Sequence, residues 1–227
     1  VFVYLAALNA GFKPDHQIND EVIEVDGWRP RNYDGRYRGK VTLKDAFAHS
    51  INTVAVRLTE RVGRNRVIAM ARRLGVTGSL RPTPSLALGT AETTLLELTT
   101  AYASVGGGGT VLWPYGITEI RDRGGSVLYR RKQSNAGRAI EPGVAHAMDG
   151  LLKAAVTNGT GRGASLPGAA GKTGTSQDFR DAWFIGYRGD ITAGIWFGND
   201  EGTPMKQVAG GGLPAQVWRA FIGGIQP

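Results

Sequence analysis

Hydrophobic residues recur at helical spacing through the first two thirds of the chain. Residues Phe2 to Ala10 are predicted to form a helix that Gly11 ends. Thr42 to Asp45 form a capping-box-like start, and helical structure is expected to continue to about Val62 with an interruption near Ser50. The same spacing predicts three more helices: one capped by Asn65 and ended by Gly75, one starting at Thr93 or Thr94, and one from Pro142 to Asn158.

Strand-like patterns separate and follow these helices. Residues 13–39 are polar and predicted to be an extended crossing segment, and residues 111–128 a β-rich insertion turning at Gly124 and Gly125. Three strands are then predicted at Lys172–Ser176, Ala182–Tyr187 and Ile191–Gly198, the last two joined as a hairpin, before a closing helix that Pro214 begins. This order predicts an α+β fold, with an antiparallel sheet flanked by helices.

Composition limits the class of protein. A chain of 227 residues with 41% hydrophobic residues suits one globular domain. The absence of cysteine excludes disulfides and thiolate metal sites. The apolar runs are far shorter than the ~20 residues of a membrane span. Val1 begins inside an apolar run with no charged segment before it, so we expect a fragment of a longer protein.

The net charge of +8 raises the question of an anionic partner. The basic residues are scattered, and no zinc-finger spacing or RNA-binding aromatic signature accompanies them. A solvated basic surface is therefore favoured, and no nucleic-acid partner is expected. His16, His49 and His146 have no metal-ligand spacing, so neither a metal nor a cofactor is expected.

The stretch GAAGKTGTSQ, from Gly168 to Gln177, contains Gly-Lys-Thr, the triplet with which a phosphate-binding loop ends. Such a loop requires glycine five positions before Gly171, where this chain has Leu166. It also requires a helix after the loop, whereas β-favouring threonines follow here. Nucleotide binding is therefore excluded.

The same stretch read as a strand places Lys172 and Gly174 on one face and Thr173 and Thr175 on the other. A cation, hydroxyls and free N–H groups on one edge strand suit a ligand with a carboxylate and an acyl carbonyl. An ordinary polar edge strand remains the alternative. The Ser50-Ile51-Asn52 segment is likewise either a polar pair in an apolar helical region or a cap for a new helix at Thr53.

Ser-x-Asn followed by Lys-Thr-Gly resembles two of the three motifs of the penicillin-recognising serine acyltransferases. Longer segments, among them PSLALGTAETTLLELTTAYASVGGGG and GAAGKTGTSQDFRDAWFIGY, are similar to the transpeptidase domain of class A penicillin-binding proteins. The likeness covers essentially the whole chain. It implies a single transpeptidase domain over residues 1–227, with the fold shared by those proteins and the serine β-lactamases.

The family's first motif, Ser-x-x-Lys, does not occur in this sequence. The resemblance implies that its lysine immediately precedes Val1 and that its serine nucleophile lies about four residues before the start. The domain is therefore expected to be N-terminally truncated, without the family's glycosyltransferase domain and membrane anchor. We expect the isolated chain to be inactive.

The resemblance implies cross-linking of peptidoglycan stem peptides, a D-Ala-D-Ala donor and an amine acceptor, through a serine acyl-enzyme that β-lactam antibiotics also form. The implied location is the outer face of the bacterial cytoplasmic membrane or the periplasm, where envelope proteins are further candidate partners. A serine β-lactamase-like hydrolase and a catalytically inert interaction module of the same fold are the alternatives.

Roles are carried over by position in the motifs. Ser50 resembles the proton relay, Asn52 the residue that holds the substrate amide and the motif's lysine, and Lys172 the cation that holds the Ser50 hydroxyl. The sequence leaves open which lysine is the general base. The residues implied in substrate binding are Thr173, Gly174, Thr175 and Ser176.

Overall fold

The computed structural model describes residues 1–132 and 137–225. Over these residues the α-helices are α1 Phe2–Asn9, α2 Leu43–Ala48, α3 Asn52–Val62, α4 Arg64–Arg73, α5 Leu95–Gly106, α6 Pro142–Thr157 and α7 Leu213–Gly224. The strands are β1 Gln17–Asp20, β2 Gly39–Thr42, β3 Glu119–Arg121, β4 Val127–Arg130, β5 Ala170–Thr175, β6 Asp181–Arg188 and β7 Ile191–Gly198.

Every strand pairing among the described residues is antiparallel. Strand β1 pairs with β2, β3 pairs with β4, and the third sheet has the order β5-β6-β7. Lys172 lies opposite Ile185 and Gly174 opposite Trp183, so β5 is paired on one side only in this sheet. The α+β class with an antiparallel sheet and flanking helices, predicted from the sequence, is confirmed.

Helix α1 lies in the middle of the larger core, and its residues from Val3 to Leu8 are all buried. It is apolar around most of its circumference because α3, α4 and α6 all pack against it. A smaller core joins α7 to the sheet, where Trp218 donates its indole N–H to the carbonyls of Gly186 and Ala193 at 3.2 and 3.1 Å.

The predicted helices and strands are present, with one wrong cap. Helix α4 begins at Arg64 after Gly63, not at a cap formed by Asn65. Gly63, with a φ of 93°, serves as the last cap of α3 and the first cap of α4, so no residue is left between the helices for a separate capping side chain. Thr94 forms the full capping box with Glu97 at the start of α5, so the second of the two predicted starts, Thr93 or Thr94, is confirmed.

The crossing segment between α1 and α2 is tied to α3 by a buried polar network. The Asp20 carboxylate is fully buried and accepts hydrogen bonds from Asn32 Nδ2 at 2.7 Å, Thr53 Oγ1 at 2.6 Å and the Arg38 N–H at 2.9 Å. These donors offset the cost of burying the charge. The network fixes the start of α3 through Thr53, the second residue of that helix. None of the described helices is both long and apolar enough to cross a membrane.

Candidate active site

Ser50 occupies the left-handed position at the end of α2. The Ile51 N–H reaches the Ala46 carbonyl at 2.9 Å, and the Ser50 N–H reaches the Phe47 carbonyl at 3.1 Å. This is the Schellman pattern, which needs positive φ at the residue after the cap, and Ser50 has a φ of 55°. The turn interrupts the helical run at the predicted place and leaves the serine side chain exposed.

Lys172 on β5 brings a cation to this turn. Its Nζ donates to Ser50 Oγ at 2.5 Å, although 122 positions separate the two residues. The same ammonium lies 3.2 Å from the Thr173 carbonyl and 3.3 Å from Thr173 Oγ1. Successive side chains leave a strand on opposite faces, but the long lysine chain curls back so that its charge meets the Thr173 hydroxyl.

Burial lowers the pKa of Lys172 from its ordinary value of 10.5 to about 8. The Phe47 ring, with its centroid 5.8 Å from Nζ, forms part of the apolar surroundings. A lysine with this pKa exchanges its proton readily near neutral pH. It can therefore hold a serine hydroxyl as a donor, or accept a proton when it is neutral.

Two further hydroxyls stand on the other face of β5. Thr173 Oγ1 lies 2.6 Å from Thr160 Oγ1, and Thr175 Oγ1 accepts the Gly210 N–H at 3.0 Å. Because that N–H occupies an acceptor site of Thr175, the hydroxyl proton of Thr175 stays available for a ligand. Hydroxyl protons and an ammonium close together suit a carboxylate.

Thr160 follows α6 and lies outside every motif of the sequence, so no pattern predicted it as a site residue. Its hydroxyl is 3.4 Å from Lys172 Nζ as well as 2.6 Å from Thr173 Oγ1. The available signal was the pair of glycines on either side of it, in TNGTGRG. Such a pair indicates close backbone approach.

The remaining candidate residues have separate contacts. Asn52 is the first residue of α3 and donates to the Arg31 carbonyl at 2.9 Å. Gly174 lies across from Trp183, whose Cβ would be 3.3 Å from an added methyl group. Ser176 accepts the Asp181 N–H at 2.7 Å and so closes the turn between β5 and β6.

A cavity of about 320 Å³ lies beside five of these residues, whereas Thr160, Thr175 and Ser176 are not among its lining residues. Ser50, Asn52, Lys172, Thr173 and Gly174 all line it. Its remaining wall is largely apolar; residues there include Phe47, Leu86, Ala87, Leu98 and Tyr102. Apolar walls with a few converging polar groups are typical of a small-molecule or peptide site. Residues 1–132 and 137–225 contain no cluster of three His, Cys, Asp or Glu side chains suited to a metal.

The family model of the penicillin binding protein transpeptidase domain matches residues 1–199. Penicillin-binding protein 1A of Aquifex aeolicus is 40% identical over 221 residues, which are 96% of this chain and 30% of that protein. The protein of the same name from Rickettsia typhi is 33% identical over 252 residues, or 97% of this chain and 32% of that protein. The chain thus spans about a third of the length of these relatives.

Solved structures give the same result for the fold. Penicillin-binding protein 1A from Haemophilus influenzae matches with a TM-score of 0.88 at 24% identity, over 100% of this chain and 41% of that chain. PonA1 from Mycobacterium tuberculosis, in complex with penicillin V, matches with a TM-score of 0.85 at 25% identity, over 97% of this chain and 66% of that chain.

Proposed function

Because the chain belongs to the penicillin-binding protein transpeptidase domain family, we propose that it is the D,D-transpeptidase part of a class A penicillin-binding protein. The intact protein cross-links peptidoglycan stem peptides that end in D-Ala-D-Ala. The observation that carries the proposal is the 2.5 Å contact between Lys172 Nζ and Ser50 Oγ, made beside the Thr173 hydroxyl in one cavity.

The nucleophile in this proposal is a serine outside these 227 residues, in a Ser-x-x-Lys segment adjoining Val1. Its oxygen attacks the penultimate carbonyl of the donor peptide, and the C–N bond to the last D-Ala breaks. The serine proton passes through the Ser50 hydroxyl to the leaving amine. An acceptor amine then attacks the ester, and the proton that it loses returns to the serine.

The residues of this chain bind and orient the donor. Thr173 and Thr175 donate to its terminal carboxylate, and Asn52 turns its amide toward the substrate and the motif's lysine. Gly174 leaves room for the peptide to lie along β5, and Ser176 supports the end of that strand. The Thr175 N–H is one oxyanion donor, and the nucleophile's own N–H is the other.

β-Lactams react at the same serine in this proposal. Their carboxylate takes the place of the donor's terminal carboxylate, and their strained amide takes the place of the peptide bond that breaks. The relative PonA1 from Mycobacterium tuberculosis is described in complex with penicillin V. We place the intact protein at the outer face of the cytoplasmic membrane, held by a segment outside residues 1–227, with envelope proteins as further partners.

The test begins with the coding sequence immediately before Val1. A Ser-x-x-Lys motif is expected there, and the protein extended to include it should be labelled covalently by a fluorescent penicillin. Replacing Lys172 by alanine should lower the labelling rate by about 10²-fold or more. Replacing Lys206, which lies outside the candidate site, by alanine is the matched control and should leave the rate unchanged.

Three results would contradict the proposal. The absence of Ser-x-x-Lys would favour an inert interaction module. Rapid turnover of the penicillin, in place of a long-lived adduct, would favour a β-lactamase-like hydrolase. Equal labelling of the Lys172→Ala variant would show that the pairing with Ser50 has no part in the chemistry.

A further inference from the structure

Thr160 is placed like a functional residue although no motif contains it. Its hydroxyl lies 2.6 Å from Thr173 Oγ1 and 3.4 Å from Lys172 Nζ. The residue is exposed, so core packing does not account for a threonine there.

The backbone holds this hydroxyl in place from two sides. The Thr160 N–H donates to the Ala48 carbonyl at 3.0 Å, two residues before Ser50. On the other side, a Cβ added to Gly211 would lie 2.5 Å from the Thr160 carbonyl oxygen. The backbone at Gly211 therefore also packs closely against Thr160. Thr160 is thereby fixed relative to the Ser50 turn and to β5 at once.

The direction of the hydrogen bonds follows from the donors present. An ammonium can only donate, so Thr160 Oγ1 and Thr173 Oγ1 are acceptors in their contacts with Lys172, whose three N–H groups are shared among these two oxygens, Ser50 Oγ and the Thr173 carbonyl. Each hydroxyl keeps its own proton, and one of these two protons joins the two oxygens. If Thr160 gives it, Thr173, which lines the cavity, keeps its own proton for an acceptor there. An anion bound in the cavity favours this arrangement, because the anion can only accept a hydrogen bond and the Thr173 hydroxyl is then free to donate one.

We propose that Thr160 is a positioning residue for carboxylate recognition. It donates to Thr173 Oγ1 and so turns the Thr173 hydroxyl proton toward the carboxylate of the ligand. The inference rests on the proposed function and adds a residue and a specificity to it: Thr160 matters for ligands that carry the carboxylate.

The experiment uses the protein extended through Ser-x-x-Lys and compares benzylpenicillin with its methyl ester. Thr160→Val should lower the second-order acylation rate constant for benzylpenicillin about ten-fold, as expected for one misdirected hydrogen bond to a charge. The ester, which lacks the carboxylate, should react with the variant and the wild type within about two-fold of each other. Thr160→Ser should restore most of the loss.

Thr157→Val is the matched control, because the exposed Thr157 hydroxyl donates only within α6, to the Lys153 and Ala154 carbonyls. Thr160→Ala replaces Thr160→Val should the valine variant not fold by circular dichroism. Equal losses for acid and ester, or no loss for either, would overturn the inference and leave the proposed function standing. A wild-type protein that neither compound acylates would instead remove the proposed function, and the inference with it.

Discussion

Replacing Ser50 by glycine should give a more stable protein than replacing it by alanine, although glycine removes more atoms. Among the described residues, four helices end in the same Schellman pattern, and three of them have glycine at the left-handed position: Gly11, Gly75 and Gly108. In α2 that position is Ser50, with a φ of 55°. A residue with a Cβ is strained there, by about 1–2 kcal/mol.

Both variants lose the hydroxyl that Lys172 contacts, so their difference reports backbone effects and not the lost contact. Glycine relieves the strain but adds backbone entropy to the unfolded chain, which returns about 0.5–1 kcal/mol. We therefore expect Ser50→Gly to exceed Ser50→Ala by about 1 kcal/mol in the free energy of unfolding. For a chain of 227 residues this corresponds to roughly 2–4 °C in Tm.

Urea unfolding followed by tryptophan fluorescence measures this difference. Gly75→Ala, at the turn that ends α4, is the reference, because a Cβ there would meet no atom within 4 Å and only the positive φ opposes it. It should cost about 1 kcal/mol. Equal stability of the two Ser50 variants, with the expected cost at Gly75, would show that Ser50 is not held in the left-handed conformation.

The other predictions concern the network, the glycine loop and the lysine. Thr53→Val should destabilise the fold by about 1.5–3 kcal/mol in urea unfolding, because the buried Asp20 carboxylate loses one donor. Thr100→Val should be near neutral, because the partly exposed Thr100 hydroxyl donates within α5 to the Leu96 carbonyl. Gly210→Ala should cost about 1–3 kcal/mol, since the new Cβ would lie 2.5 Å from the Gly174 carbonyl oxygen; Gly150→Ala, with open space in α6, should not destabilise in the same assay. The Lys172 side chain should titrate near pH 8 by ¹³C NMR of labelled lysine. The unfolded chain holds more protons at this site from about pH 8 to 10.5, so the stability of the wild type relative to Lys172→Gln should rise with pH over that window, and a flat difference would contradict the lowered pKa.

The sequence predicted the helices, the strands and the break near Ser50 because each follows from local periodicity and local caps. It did not predict the Schellman turn at that break. Glycine is the usual sequence signal for such a turn, and α2 has Ser50 there instead. The cap attributed to Asn65 failed for a related reason. Asparagine is a good cap in isolation, but Gly63 is the only residue between α3 and α4, so Asn65 already lies within α4.

The candidate site is harder to predict because it depends on contacts between distant parts of the chain. Ser50 and Lys172 are 122 positions apart, and only the resemblance to a known family linked them before the structure did. Thr160 and Asp20 had no such link. The Thr160 hydroxyl has its contact only because the end of α6 lies beside β5 in the fold. Asp20 has its contact with Thr53 only because the crossing segment lies beside α3.

On the proposed function, the position of Lys172 between Ser50 and the threonines would couple substrate binding to the protonation of the lysine. Burial lowers its pKa to about 8 in the chain without substrate. On the proposed function, a carboxylate held by Thr173 would stand close to the ammonium, which is 3.3 Å from Thr173 Oγ1. An opposite charge at that range favours the charged lysine and raises its pKa again. Lys172 would then be cationic while the donor peptide is bound, able to donate to Ser50 Oγ but not to accept a proton. This argues that Lys172 orients the relay, and that the base which activates the nucleophile is a different group.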